Sequence, residues 1–100
     1  MKKELLLTQQ NYIKECEIDE RTLPMIVHHY ISIGEQTASK LTDERIEQVY
    51  NKCVADDQAA QARGAILAIT PEFQKYILVA CQKLAQLPAE ARYNLIKKNL

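Results

Sequence analysis

Apolar side chains recur at three- and four-residue intervals through most of this chain, the spacing that lines one face of a helix. The densest stretch is Leu7–Gly34, LTQQNYIKECEIDERTLPMIVHHYISIG. Thr8 suits the cap of a short helix from Gln9 to about Cys16, with Leu7 and Tyr12 placed as a hydrophobic staple. Tyr12, Ile13 and Cys16 then share one face, and Glu17-Ile18-Asp19 makes a brief turn. A second helix follows as far as Ile33, with Leu23, Ile26, Val27, Tyr30 and Ile31 at helical spacing and Met25 and Ile33 flanking them. Pro24 fixes its start. A proline is harmless within the first helical turn and costly later, which favours Thr22 over Asp19 as the cap, after an irregular turn. Two short helices with an apolar residue in the turn between them form a helix-turn-helix candidate.

Gly34 ends the second helix as a left-handed cap, and the polar stretch 34–41 reads as a loop or small wing. Leu41-Thr42 repeats the opening pattern of Leu7-Thr8. Ile46, Val49, Tyr50, Cys53 and Val54 then give the clearest amphipathic helix, with Asp43 and Glu44 favoured by its dipole. Asp56-Asp57 marks a break, after which an alanine-rich helix is expected over Ala59–Ile69. Thr70-Pro71 caps and starts the next helix, whose buried face is Phe73, Ile77, Ala80, Cys81 and Leu84. Pro88 opens a last one, burying Leu95, Ile96 and Leu100 and ending in Lys97 and Lys98. The expectation is therefore an all-α single domain over residues 1–100, with about six helices. Residues 2–7 are open between a short strand and a helix start, because Leu5-Leu6-Leu7 does not alternate.

Composition agrees with that picture. Two glycines and three prolines in 100 residues are too few for a loop-rich or all-β chain. Thirteen basic and thirteen acidic side chains balance, so no cationic excess points to nucleic acid as the main partner. Cys16, Cys53 and Cys81 lie too far apart for metal-ligand or redox-motif spacing, and their odd count argues against a disulfide framework. They are expected to be buried thiols in a reducing compartment. No apolar run approaches the roughly 18 residues of a membrane span, and Met1-Lys2-Lys3 precedes too few leucines for a signal peptide. The cytoplasm of a bacterium or of a phage host is the expected location.

Candidate chemistry is thin. Two isolated glycines make no phosphate loop. His28 and His29 point about 100° apart on a helix and cannot readily share an ion; one packed and one exposed histidine is expected. The carboxylates Glu15, Glu17, Asp19 and Glu20 have no candidate nucleophile or metal beside them, so no enzyme activity and no cofactor are expected.

Residues Leu7 to Val27 resemble the N-terminal helix-turn-helix of MerR-type regulators, and more closely that of the small chaperone-modulator proteins sharing the module. Leu7-Thr8 stands at the family's apolar-Ser/Thr start. Tyr12-Ile13 stands at a Leu-Cys or Leu-Ala pair, and Glu17-Ile18-Asp19 at the turn's Gly-Val/Ile-Ser. Leu23, Ile26 and Val27 match the apolar second helix, and Leu41-Thr42-Asp43 is similar to the return from the wing. The resemblance implies a non-enzymatic regulator that binds the J domain of a DnaJ-type co-chaperone through its basic second helix and blocks access to Hsp70. From charge alone, the contacts expected are Glu15, Glu17, Asp19 and Glu20 at the turn, with Asp43, Glu44 and Glu47 beyond the wing.

A shorter stretch, Arg21-Thr22-Leu23-Pro24 with Val27, Tyr30 and Ile33-Gly34, is similar to the second helix of ParD-like ribbon-helix-helix antitoxins. That alternative implies a DNA-binding homodimer with a strand over Lys3–Leu7. In either DNA-binding version Lys2, Lys3, Lys14, Arg21 and Lys40 would touch phosphates. Leu23–Ile33, however, contains no Arg or Lys, and the preceding segment is acidic, which repels a phosphate backbone.

Overall fold

The helix boundaries follow a few capping and stop residues. The structure is a computed structural model that describes residues 7–99, with side chains from Gln10 onward. The expected strand over 2–7, the Leu7-Thr8 cap and staple, and Leu100 therefore lie outside what is described, apart from the backbone from Leu7, which begins a helix. Helix α1 spans Leu7–Glu15. The chain then turns through Glu17, which sits in the left-handed region at φ 55°. Asp19 caps a single 3-10 turn, Glu20–Thr22, by accepting from the Arg21 N–H at 3.0 Å. Helix α2 follows over Leu23–Ile33, with Pro24 in its first turn.

Thr22 precedes α2 as its sequence predicts, but its hydroxyl does not cap. It donates to the Asp19 carbonyl at 2.8 Å and pairs with the Tyr76 hydroxyl at 2.8 Å. Leu23, Ile26, Val27 and Tyr30 are buried, each aliphatic member contributing about 1.5–3 kcal/mol. Ile31 and Met25 are not on that face; they are 47% and 50% exposed.

Gly34 ends α2 at φ 89°, ψ 145° and leads straight into a short helix, α3, over Glu35–Ser39. The expected wing is thus a helical turn, because Ala38 is small enough to be buried in the core among its polar neighbours. Thr42 caps α4, Asp43–Ala62, by accepting from the Arg45 N–H at 3.1 Å. The break expected at Asp56-Asp57 does not occur. Asp57 accepts from the Gln61 side chain one turn on at 3.0 Å, and no glycine or proline interrupts the backbone hydrogen bonds. The stop comes at Gly64, whose φ of 76° completes a Schellman motif: Ala65 N–H to the Ala60 carbonyl at 2.8 Å and Gly64 N–H to the Gln61 carbonyl at 2.9 Å. The stretch expected to be helical from Ala59 to Ile69 is consequently helix only to Ala62, and 63–70 is a loop, with Ile66 94% exposed.

Thr70 caps α5, Pro71–Ala85, through the Phe73 N–H at 3.2 Å, with Pro71 in the first turn. Helix α6 spans Ala89–Lys98. Arg92 ties it down, donating to the Ala85 and Leu87 carbonyls at 3.0 and 3.3 Å and pairing with Glu35 at 2.7 Å. Among the described residues there are six α-helices and no strand. The all-α expectation and its count of six hold, although α3 replaces the wing and α4 merges two expected helices. The core joins α2 and α5. Ile77, Ala80, Cys81 and Leu84 meet the buried face of α2, with Ile13, Cys16, Ile18, Ala38 and Leu95 closing around them.

Candidate protein-binding face

Helix α5 buries one face and turns another outward. Since each residue advances about 100°, Glu72 and Val79 point away from the buried Ile77, Cys81 and Leu84. Lys75 and Gln82 lie to one side of that outward line, Tyr76 and Lys83 to the other. The segment 16–22 lies along the Tyr76–Lys83 side. The Tyr76 hydroxyl accepts from the Asp19 backbone N–H at 2.8 Å, and Lys83 Nζ is 3.8 Å from Glu17 Oε2. Helix α4 lies along the other side. Lys75 Nζ is 3.1 Å from Glu47 Oε2 and 5.0 Å from the Tyr50 ring centroid, and Gln82 Nε2 donates to Asp43 Oδ1 at 3.1 Å. Tyr50 donates to Glu72 at 3.4 Å. As residue numbers rise along α4 they fall along α5, so the two helices run antiparallel.

The two acidic segments singled out in the sequence thus stand on opposite flanks of one helix. Glu15, Glu17, Asp19 and Glu20 are exposed at the turn, and Asp43, Glu44 and Glu47 are exposed along α4. Between the 16–17 turn and α5 lies an open groove of about 240 Å³. Cys16, Val79 and Ala80 give it an apolar floor, and Glu17, Glu72, Lys75 and Lys83 border it. No protein-family model, curated protein or solved structure matches this chain.

The candidate phosphate contacts are scattered. Lys14 and Lys40 are exposed. Arg21 is held by Asp19, with Nη2 2.9 Å from Oδ2 and Nε 3.3 Å from Oδ1. That guanidinium and the Arg21 N–H together hold the Asp19 carboxyl below its ordinary value, and the ion pair raises Arg21 in return. Lys2 and Lys3 lie outside the described residues. The outward face of α2 carries Pro24, Met25, His28, Ile31 and Ser32, with no charged side chain among them.

The cysteines divide. Cys16 and Cys81 are buried and Cys53 is half-buried; all three are free. Burial pushes the Cys81 thiol up to about 12, and it donates to the Ile26 carbonyl at 3.8 Å. Burial also raises Cys16, against the nearby positive charge of Lys83. His28 is exposed and His29 half-buried, as their adjacency on α2 requires. Among the described residues no helix is long and apolar enough to cross a membrane.

The sequence reading missed Lys75, Tyr76, Val79 and Lys83. Their signal was present: they share the side of α5 opposite Ile77, Cys81 and Leu84, and Val79 is the one apolar residue among polar neighbours there.

Proposed function

We propose that this chain is a non-enzymatic regulator that acts by binding another protein, most concretely a chaperone modulator that occupies the J domain of a DnaJ-type co-chaperone. The observation that carries this reading is the placing of two acidic segments on opposite sides of α5, whose own lysines are already paired with carboxylates. An apolar floor bordered by charge suits a protein surface. The exposed carboxylates of the turn and of α4 suit a basic one. The left-handed backbone at Glu17 adds support, because it falls where the resembled families carry a turn glycine.

The DNA-binding alternative has less behind it. Arg21 is paired with Asp19, and the exposed face of α2 offers neither a cation for phosphates nor an amide or guanidinium for base edges.

The test is titration of a purified J domain by calorimetry, alongside its stimulation of Hsp70 ATPase activity. Binding with loss of stimulation is expected, weakened by the double change Glu17→Lys and Glu20→Lys. Absence of binding to any J domain, with DNA binding whose affinity falls by about 0.9 log units per log unit of salt for each phosphate contacted, would transfer the assignment to the alternative.

A further inference from the structure

We propose that this chain pairs with a second copy of itself about a two-fold axis, the apolar loop 63–70 of each copy seating in the groove beside α5 of the other. This goes beyond the partner-binding reading above and does not depend on it.

The loop supplies the insert. From Gly64 to Pro71 the chain carries no charge, and Ala65, Ile66, Leu67, Ala68 and Ile69 form an unbroken apolar run. Ile66 is 94% exposed, the highest value among the large apolar side chains described, and Ile69 is 46% exposed. A single exposed isoleucine is ordinary, but a run of five apolar residues joining two antiparallel helices marks a contact surface. The exposure of Ile66 also shows that the loop does not fill the groove of its own chain.

The groove supplies the seat. Cys16, Val79 and Ala80 make its floor apolar, and its border is charge-balanced, with Glu17 and Glu72 against Lys75 and Lys83. Such a border favours neither a basic nor an acidic occupant. An uncharged apolar segment enters it and leaves no charge of its own unmatched.

Position makes the contact reciprocal. The loop runs directly into α5, where Glu72 borders the groove and Val79 lies about 10 Å farther along the helix. In a two-fold contact residue i meets j and j meets i. For each loop to reach the other floor, the axis passes between loop and floor, near residues 73–74, and the two α5 helices cross antiparallel. Glu72 and Lys75, about 4.5 Å apart along the helix, then straddle the axis, and each Glu72 faces the other copy's Lys75. Glu72 is free to take that role. It is exposed, forms no ion pair among the described residues and accepts from Tyr50 at a long 3.4 Å. Burial of Ile66 and Ile69 supplies the attraction, and the two crossed pairs fix the register. The contact is small, so the dimer is weak, with a dissociation constant of about 10 μM to 1 mM. Dilution opens it and leaves α5 accessible to another protein.

The test is sedimentation equilibrium of the full chain under reducing conditions, from about 5 μM to 1 mM, with amide shifts followed over the same range. A monomer–dimer equilibrium is expected, in which the amides of Ile66, Ile69, Val79 and Lys83 move with concentration. Ile66→Asp is expected to weaken it roughly a hundredfold, because the axis counts each lost side chain twice. Its unfolding midpoint stays that of the parent, since Ile66 is exposed in the monomer. Glu72→Lys and Lys75→Glu, made in separate chains, each set like charges across the axis and weaken the dimer roughly fivefold or more. Mixing those two variants restores opposite charges at both crossings, so the mixture associates roughly fivefold more tightly than either alone.

A chain that stays monomeric to about 1 mM overturns the proposal. So does an Ile66→Asp variant that dimerises like the parent, growth past the dimer into open-ended assemblies, or a mixture no tighter than its components. Binding of the monomer to phosphatidylcholine vesicles, lost in Ile66→Asp, would also overturn it and give the apolar run to a lipid surface.

Discussion

Glu17 occupies a backbone conformation that its Cβ disfavours, and replacing it with glycine is expected to stabilise the protein. At φ 55° the residue is left-handed. A side chain there costs about 1–2 kcal/mol, and glycine avoids the clash. Glycine also makes the unfolded chain more flexible, which returns about 0.5–1 kcal/mol of that gain. Glu17→Gly further removes the Lys83 ion pair, which at 3.8 Å with an 83% exposed carboxylate contributes at most a few tenths of a kcal/mol. The net expectation is about 0.5–1 kcal/mol of added stability. With a urea dependence of about 1 kcal/mol per molar for a chain of this size, the unfolding midpoint moves up by roughly 0.5–1 M. Glu17→Ala is the control. It keeps the Cβ and deletes only the ion pair, so its midpoint stays within about 0.3 M of the parent. If the glycine variant proves no more stable than the alanine variant, the strain assigned to this turn is not there. Because Glu17 also borders the proposed groove, partner binding is measured separately and is expected to fall in both variants.

Tyr76→Phe removes the hydroxyl that holds Asp19 and Thr22. A loss of about 1 kcal/mol is expected, with faster hydrogen exchange at the Asp19 amide; unchanged exchange would mean the turn is held by its own hydrogen bonds. Asp19 has its carboxyl lowered by Arg21, so the stability it gives is present above the unfolded value near 3.8 and is lost as pH falls through the folded one. An NMR titration should place its midpoint below 3.8, and Asp19→Asn should flatten stability across that acidic window. Of the three thiols, Cys53 should react first with a disulfide reagent in the native state, while Cys16 and Cys81, raised by burial, wait for unfolding; equal rates for all three would refute the packing of α5 on α2.

Periodicity and caps made most of the helices legible. Thr42 and Thr70 cap as a threonine before an apolar-periodic run should, and Pro71 falls in a first turn. Two of the differences share one cause: local polarity does not by itself stop a helix. Asp56-Asp57 is polar, yet aspartates on the exposed side of a long helix cost little, and the chain turned instead at Gly64, where a positive φ was needed. Residues 35–39 are polar too, yet one buried alanine suffices to fold them onto the core. Spacing alone puts Ile31 with the apolar face, yet it lies about 140° around α2 from Ile26 and is exposed. The acidic segments were legible as segments. Their placement about α5 was not, because it depends on pairings 28 and 66 residues apart, Glu47 with Lys75 and Glu17 with Lys83, which no local pattern encodes.

Those pairings also change which helix matters for recognition. The sequence draws attention to α2, whose apolar content is the highest in the chain. Burial of Leu23, Ile26, Val27 and Tyr30 commits that content to the core, and what α2 leaves outside is a small uncharged face. Helix α5 is different. Its buried side anchors α2, while its outward side gathers, through Tyr76, Lys75 and Lys83, the two segments that carry the acidic surface. A partner bound along α5 therefore touches residues from three parts of the chain, held in register by one rigid element. Loosening the Tyr76 contact alone should weaken such binding without removing any charge. That separates a surface organised by α5 from one in which the acidic turn acts by itself.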